Sequence, residues 1–238
     1  MLLPFLLLAG ALGGGRGRRF LRRFAVGFLR FFFLRFLPFV RVYRIAKTPH
    51  PASFAPSGPR ILAANHRSWL DALFVLALAP GVRLPVNATY ARIPILGTAL
   101  RWVGCVPIDR ASRDSVARGV AECREILARG GLLGVFPEGT RSRRGALLPF
   151  SDFGFRLAIE AAVPVAPLVI HSDAPYLAPE AGSGLTPYCA AWRIFLGDPI
   201  APERGERPQD LARRVRRVLA ERLARLDGGP EHAEKGET

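Results

Sequence analysis

Residues 60–78 read RILAANHRSWLDALFVLAL, and this stretch predicts a strand, a turn and a helix in succession. The run RILAA at its start is suited to a short buried strand. Ser68 and Asp71 have the spacing of a capping box and stand just before the apolar run ALFVLAL, so a helix is expected to begin at the end of the turn. A strand that ends in such a polar turn is a common place for a functional site in α/β domains.

The turn contains a histidine and an aspartate five residues apart, His66 and Asp71. Five residues turn a regular helix by about 140°, so the two side chains can meet only if the chain bends between them. The predicted turn supplies that bend. A carboxylate against one ring nitrogen would fix the tautomer and leave the other nitrogen free to accept a proton, as a general base must. The same spacing also fits an Asp71 that only caps the helix and a His66 in a surface loop.

A second apolar strand breaks into a polar turn at residues 132–142, which read LLGVFPEGTRS. Arg141 offers a rigid fork of donors that matches a phosphate group, and Gly139 allows backbone to approach a ligand closely. Because Arg143 and Arg144 follow, a solvated basic turn explains this stretch equally well on its own. Two such turns in one chain favour a shared site.

The motifs occur in an order that resembles the glycerolipid acyltransferase family typified by 1-acylglycerol-3-phosphate O-acyltransferase. The blocks are NHRSWLD at 65–71, IPILG at 93–97 with GCVPIDR at 104–110, FPEGTRS at 136–142 and VPVAP at 163–167. The resemblance extends over roughly residues 40 to 200. It rests mainly on the first and third blocks, which are nearly complete.

The resemblance implies that an acyl group passes from acyl-CoA or acyl carrier protein to the hydroxyl of a lysophospholipid. The simplest such reaction converts 1-acylglycerol 3-phosphate into phosphatidic acid, with His66 as the general base and Asp71 orienting it. The residues expected to bind the acceptor are Arg110, Glu138, Gly139, Thr140 and Arg141. No metal or bound cofactor is expected. The chain has no Gly-x-Ser-x-Gly motif, which agrees with direct attack by the acceptor.

Two departures from the family pattern leave the acceptor head group open. Asn87 stands where members typically carry a lysine, and Arg92 is the nearby charge that could replace it. Residues 151–153 read Ser-Asp-Phe where many members have Lys-Lys-Gly. Another lyso-lipid, such as lyso-ornithine lipid, is therefore an alternative acceptor. Hydrolysis and non-catalytic binding of membrane lipid are further alternatives.

The positive charge is concentrated near the amino terminus. The formal net charge is +15, and residues 1–47 contain nine Arg and one Lys without a single Asp or Glu. Phe20–Lys47 is expected to form an amphipathic helical segment, kinked or restarted at Pro38, that lies among anionic lipid head groups, since its charges disfavour a spanning helix. The arginines expected to share one sector of it are Arg22, Arg23, Arg30, Arg41 and Arg44. No nucleic-acid module accompanies the basic composition, so nucleic acid is not expected as a partner.

The rest of the chain alternates helices and strands. Helices are predicted at 113–128, 155–162 and 209–226, and strands at 163–170 and 192–196. The predicted fold is a single α/β domain at 48–226 with a central, mostly parallel or mixed sheet flanked by helices. It follows the membrane-anchoring segment at 1–47 and precedes a disordered tail at 227–238. The helix at 209–226 is expected to pack on the domain, with a second membrane contact as the alternative.

The remaining titratable residues indicate no further site. Three cysteines without metal-ligand spacing are consistent with a reducing compartment. His50, His171 and His232 have no carboxylate at a useful spacing. The acyl donors are cytoplasmic, so the expected location is the cytoplasmic face of the cell membrane, with monotopic or peripheral attachment.

Overall fold

The computed structural model describes residues 15–36, 44–49, 51–54, 58–68, 70–94, 96–142, 146–172 and 191–227. The helices are α1 (Gly15–Phe31), α2 (Leu70–Leu78), α3 (Ala88–Ala91), α4 (Leu96–Val103), α5 (Arg113–Ala128), α6 (Phe153–Glu160) and α7 (Pro208–Asp227). The strands are β1 (Arg44–Lys47), β2 (Arg60–Ala64), β3 (Pro85–Asn87), β4 (Val106–Ile108), β5 (Leu132–Val135), β6 (Val165–Ser172) and β7 (Ala191–Leu196). A π-helical turn at Phe32–Phe36 continues α1, and a short 3₁₀ turn occupies Pro51–Phe54.

The central sheet has five strands in the order β1-β7-β6-β2-β5. Strand β2 lies parallel to both β5 and β6, whereas β7 runs antiparallel to β6. A small parallel pair, β3 and β4, stands beyond β5, and a bridge between Arg83 and Leu133 connects the two sheets. The mixed sheet flanked by helices confirms the predicted fold class.

The alternation of β2 divides the core into two layers. Successive side chains of a strand point to opposite faces. Leu62 and Ala64 pack with α2, and α1 and α4 lie on that side. Ile61 and Ala63 face the other layer, which α5, α6 and α7 cover. Because β2 is buried on both faces, its residues from Ile61 to Ala64 are all apolar rather than alternating.

Helix α1 is shorter than the sequence pattern predicts. The prediction of a helix through Lys47 is wrong for its last residues, because Arg44–Lys47 is strand β1 and pairs with β7 in the central sheet. Arg41 lies outside the described residues. Arg22 is also not on an outer basic face. It is half-buried and donates to the carbonyl of Gly81 at 2.9 Å, after the end of α2.

Aromatic side chains form the outward face of α1. Its inward side, which includes Ala25, Val26 and Leu29, packs against the core. The opposite side exposes Phe20, Phe24, Phe28 and Phe31, each between 47% and 66% accessible. No helix within the described ranges is long and apolar enough to cross a membrane.

Helix α7 packs on the domain, as the sequence predicts. Its buried side chains are Leu211, Ala212, Val215, Leu219, Leu223 and Leu226. Helix α7 also includes Asp227, the residue at which the predicted tail begins. The rest of that tail lies outside the described residues. Helix α5 has the predicted bounds, and α6 and β6 differ from theirs by about two residues at each end.

Candidate active site

The two polar turns meet at the carboxyl ends of β2 and β5. Parallel neighbouring strands end at the same edge of a sheet, which is where open α/β sheets usually place their sites. The turns are joined by backbone contacts. Ser142 N donates to the carbonyl of His66 at 2.8 Å, and His66 N donates to Glu138 Oε1 at 2.7 Å. The turn after β2 is therefore bound directly to the turn after β5.

His66 and Asp71 form the hydrogen-bonded pair that the sequence predicts. His66 Nδ1 lies 2.9 Å from Asp71 Oδ2, and the imidazole stacks on Phe136 with ring centroids 4.3 Å apart. The carboxylate is buried, whereas the His66 side chain keeps 18% of its surface accessible. When Nδ1 donates to the carboxylate, Nε2 carries the free lone pair. The arrangement thus provides a partly accessible proton acceptor.

Asp71 also caps α2, so its two predicted roles coexist. Its Oδ2 accepts the backbone N–H groups of Arg67 and Ser68, each at 2.7 Å. Ser68 Oγ accepts the N–H of Leu70 at 3.1 Å, which completes the reciprocal capping arrangement. The same oxygen that holds His66 is therefore fixed by the first turn of the helix.

Glu138 connects the turn after β2 to the segment that follows the turn after β5. It is buried, its Oε1 accepts the N–H of His66, and its Oε2 accepts the N–H of Leu148 at 2.9 Å. Burial raises the pKa of Glu138, and the two backbone donors oppose that shift. Both carboxylate oxygens are engaged by backbone, a structural function that the sequence did not indicate.

Arg110 lies beside the turn after β5. A methyl group on Gly139 would be 3.3 Å from Arg110 Nη1, and Gly139 has a φ of +68°. Glycine therefore suits this position both for its left-handed backbone and for the close approach of the guanidinium. Thr140 is exposed and Arg141 half-buried in the same turn. The predicted acceptor-binding residues are thus neighbours in space.

Sequence reasoning missed Asn65 as a link between strands. Asn65 Nδ2 donates to the carbonyl of Ile170 at 2.8 Å, and its Oδ1 accepts the N–H of Ile170 at 2.8 Å. The side chain thus bridges the end of β2 to β6. Asparagine beside the histidine is a visible signal, but its partner is 105 residues away.

The expectation that His171 has no carboxylate partner is wrong. His171 Nε2 lies 3.0 Å from Asp227 Oδ1, and the same carboxylate accepts two bonds from the Arg67 guanidinium. The two residues are 56 positions apart, so a search for nearby carboxylates in sequence could not find this contact.

Two buried cysteines contribute no nucleophile. Burial raises the pKa of both Cys105 and Cys123 to about 12, so neither thiol forms a thiolate near neutral pH.

The departures from the family pattern have local structural roles. Asn87 caps α3, its Oδ1 accepting the N–H of Thr89 at 2.9 Å. Arg92 is exposed and pairs with Asp109 at 2.7 Å. Asn87 therefore satisfies a helix end at the position where a lysine is typical.

A family model described as acyltransferase matches residues 40–171. The chain belongs to the acyltransferase family. The matched range contains β1 through most of β6 and includes His66, Asp71 and the turn at 136–142. Helix α7 lies beyond it, so the contact of Asp227 with Arg67 is formed from outside the region that the family model describes.

Curated relatives of this acyltransferase-family chain are named 1-acyl-sn-glycerol-3-phosphate acyltransferases. The alpha form of Homo sapiens is 32% identical over 182 residues, which is 70% of this chain and 59% of the relative. The chloroplastic LPAT1 of Arabidopsis thaliana is 28% identical over 165 residues, 69% of this chain and 45% of the relative. The chain thus spans less than two thirds of the length of these relatives.

The fold has a solved counterpart. The crystal structure of the 1-acyl-sn-glycerophosphate (LPA) acyltransferase PlsC from Thermotoga maritima superposes with a TM-score of 0.73 and 24% sequence identity. The match covers 96% of this chain and 89% of that one, so the two share their architecture from α1 to α7.

Proposed function

We propose that this chain transfers an acyl group from a thioester donor, acyl-CoA or acyl carrier protein, to the hydroxyl of a lysophospholipid. The observation that carries the proposal is the pair of His66 and Asp71, joined at 2.9 Å, whose turn is bound to the turn that contains Arg141 and borders Arg110. A proton acceptor in one turn, with two arginines in and beside the adjoining turn, suits an acceptor that has both a hydroxyl and a phosphate.

In the proposed reaction, His66 Nε2 takes the proton of the acceptor hydroxyl while the hydroxyl oxygen attacks the thioester carbonyl carbon. The tetrahedral intermediate then collapses, the carbon–sulfur bond breaks, and the proton passes from His66 to the departing thiolate. Asp71 holds the imidazole in the required tautomer and supports its positive charge during the step. No covalent acyl-enzyme is formed.

The proposed acceptor is 1-acylglycerol 3-phosphate, and the product is phosphatidic acid. The names of the curated relatives support this choice. The positions of Arg110 and Arg141 support it independently, because a guanidinium forms strong, directional bonds with phosphate oxygens.

We further propose a monotopic or peripheral enzyme at the cytoplasmic face of an anionic membrane. The acceptor is an amphiphile that resides in the bilayer, and α1 presents four exposed phenylalanines beside a basic sequence. Aromatic and basic residues together are typical of helices that lie in the head-group region.

The test uses the full chain in membranes with labelled acyl-CoA and acyl carrier protein supplied in turn. The acceptors are 1-acylglycerol 3-phosphate, a neutral lyso-lipid and lyso-ornithine lipid. His66→Ala is expected to lower transfer by ~10²- to 10⁴-fold, the usual range for loss of a general base. Glu125→Ala, on the exposed side of α5, is the control and should keep full activity.

Each alternative has its own outcome. Equal transfer by wild type and His66→Ala would refute the mechanism. A preference for lyso-ornithine or neutral lyso-lipid would change only the acceptor. Release of free fatty acid instead of diacyl product would indicate hydrolysis, and lipid binding without turnover would indicate a binding protein.

A further inference from the structure

We propose that Arg67, Asp227 and His171 form a positioning network that fixes the His66 loop to the end of α7. This inference rests on the proposed function, in which His66 is the base, and assigns part of its positioning to the last helix. None of the three residues is proposed to touch the substrate.

The network is a chain of charge-assisted contacts. Arg67 Nη1 donates to Asp227 Oδ1 at 3.3 Å, and Nη2 donates to Asp227 Oδ2 at 3.0 Å. Asp227 Oδ1 also lies 3.0 Å from Nε2 of the buried His171. The bond from Arg67, followed by that from His171, holds the pKa of Asp227 below its usual value. A two-point contact of this kind fixes orientation as well as distance.

Arg67 connects this network to the base. It directly follows His66 in the chain, and its backbone N–H donates to Asp71 Oδ2, the oxygen that also contacts His66 Nδ1. One residue therefore joins α7 through its side chain and the His66–Asp71 pair through its backbone. A displacement of Arg67 would alter the carboxylate that holds the imidazole.

The turn that contains His66 is also connected to β6, the strand that carries His171. His171 follows Ile170 on β6, and Ile170 forms the paired backbone bonds with Asn65. The loop is thus tied to neighbouring elements at Asn65 and at Arg67, the two positions that flank His66. Small displacements of a catalytic group can cost large factors in rate, so this restraint matters for turnover.

The effect should be local rather than global. The Asp227 side chain is 49% accessible, so an asparagine at this position would still contact water, and the change should cost little folding stability. Loss of the network should therefore leave the fold intact and loosen residues 65–68. That separates a positioning role from a merely structural one.

The test compares Asp227→Asn with Asp210→Asn in the full chain. Asp210 lies in the first turn of the same helix and pairs with Arg207, which directly precedes it, so the control makes the same chemical change at the other end of α7. Asp227→Asn should lower kcat by ~10-fold with KM for both substrates within ~2-fold, while Asp210→Asn matches wild type. Asp227→Glu, which keeps the charge, should recover part of the kcat.

Hydrogen exchange gives a readout that does not depend on activity. Peptides covering residues 60–71 should exchange faster in Asp227→Asn than in Asp210→Asn, with the melting temperature and the other peptides unchanged. Unchanged exchange in this loop would overturn the network, whether or not the wild type transfers acyl groups. A uniform increase across the chain would also overturn it. An inactive wild type with the local increase would overturn only the proposed function.

Discussion

At the scale of single residues, one carboxylate oxygen of Asp71 both contacts the His66 imidazole and stabilises the start of α2. Asp71 Oδ2 accepts two backbone N–H groups at the start of α2 and also contacts His66 Nδ1. A substitution of Asp71 would disturb the helix end together with the proposed base, His66. His66 makes the cleaner probe, because its backbone bonds to Glu138 and Ser142 survive a change of side chain.

Arg110→Ala should weaken use of a phosphate acceptor selectively. A hydrogen bond to a charged group contributes about 1.5–3 kcal/mol, so KM for 1-acylglycerol 3-phosphate should rise by ~10- to 100-fold while kcat changes little. For a neutral lyso-lipid, KM and kcat of the variant should equal those of the wild type. Steady-state kinetics with both acceptors provides the measurement.

Arg129→Ala is the matched control for Arg110. Arg129 is exposed just after α5 and pairs with Glu125, and strand β5 separates it from the turn at 136–142. An equal rise in KM for both variants would point to a general effect of surface charge and contradict a phosphate contact at Arg110.

The sequence reveals site residues whose partners are close in the chain and misses those whose partners are distant. His66 and Asp71 are five residues apart, so the strand–turn–helix pattern allowed their contact, and the family resemblance favoured it over an Asp71 that only caps the helix. Asn65 contacts Ile170, 105 residues away, and Asp227 contacts Arg67, 160 residues away. Their roles follow from strand order and from the docking of α7, which no local pattern encodes.

At the scale of elements, the packing of α5 against β4 positions Arg110. Strand β4 ends two residues before Arg110, and its Ile108 packs directly over Gly119 of α5. A Cβ atom on Gly119 would lie 2.5 Å from Ile108 Cγ1, a distance that requires movement. The glycine therefore sets how closely the strand approaches the helix.

Gly119→Ala should destabilise the fold, whereas Gly27→Ala should not. Overpacking at Gly119 is expected to cost about 1–3 kcal/mol, which exceeds the helical preference for alanine. Gly27 lies within α1 with no atom near its Cβ position, so alanine there should be neutral or stabilise by up to about 1 kcal/mol. Urea unfolding in detergent measures both changes. Equal effects at the two sites would contradict the packing argument.

The predicted bounds of an element were wrong where the segment pairs with a strand that is distant in the chain. The helical pattern after Phe20 was extended to Lys47, although Arg44–Lys47 pairs with β7 nearly 150 residues later. By contrast, α5 has its N-cap Ser112 and its apolar face within one short segment, and its predicted bounds are confirmed. Strand pairing is non-local and therefore escapes periodicity.

At the scale of the whole molecule, the exposed apolar surface is concentrated on one helix. Within the described residues, four of the seven large exposed hydrophobic side chains lie on α1. The others are Ile93, Leu96 and Val218. An aromatic face of this kind on an otherwise packed domain indicates a contact surface, and the basic N-terminal sequence favours anionic lipid.

Replacing Phe24 and Phe28 by Glu should therefore reduce binding to anionic vesicles. Each phenylalanine that enters the interface contributes on the order of 1.5–3 kcal/mol, so the double variant should bind at least ~10-fold more weakly in a flotation assay. Val218→Glu is the control, since it changes an exposed apolar residue on α7, and its binding should match wild type. An equal loss from Val218→Glu would favour a membrane contact through α7. Undiminished binding of the α1 variant would contradict the proposed surface. A higher salt concentration should weaken the binding of the wild type to anionic vesicles, because salt screens its positive charge.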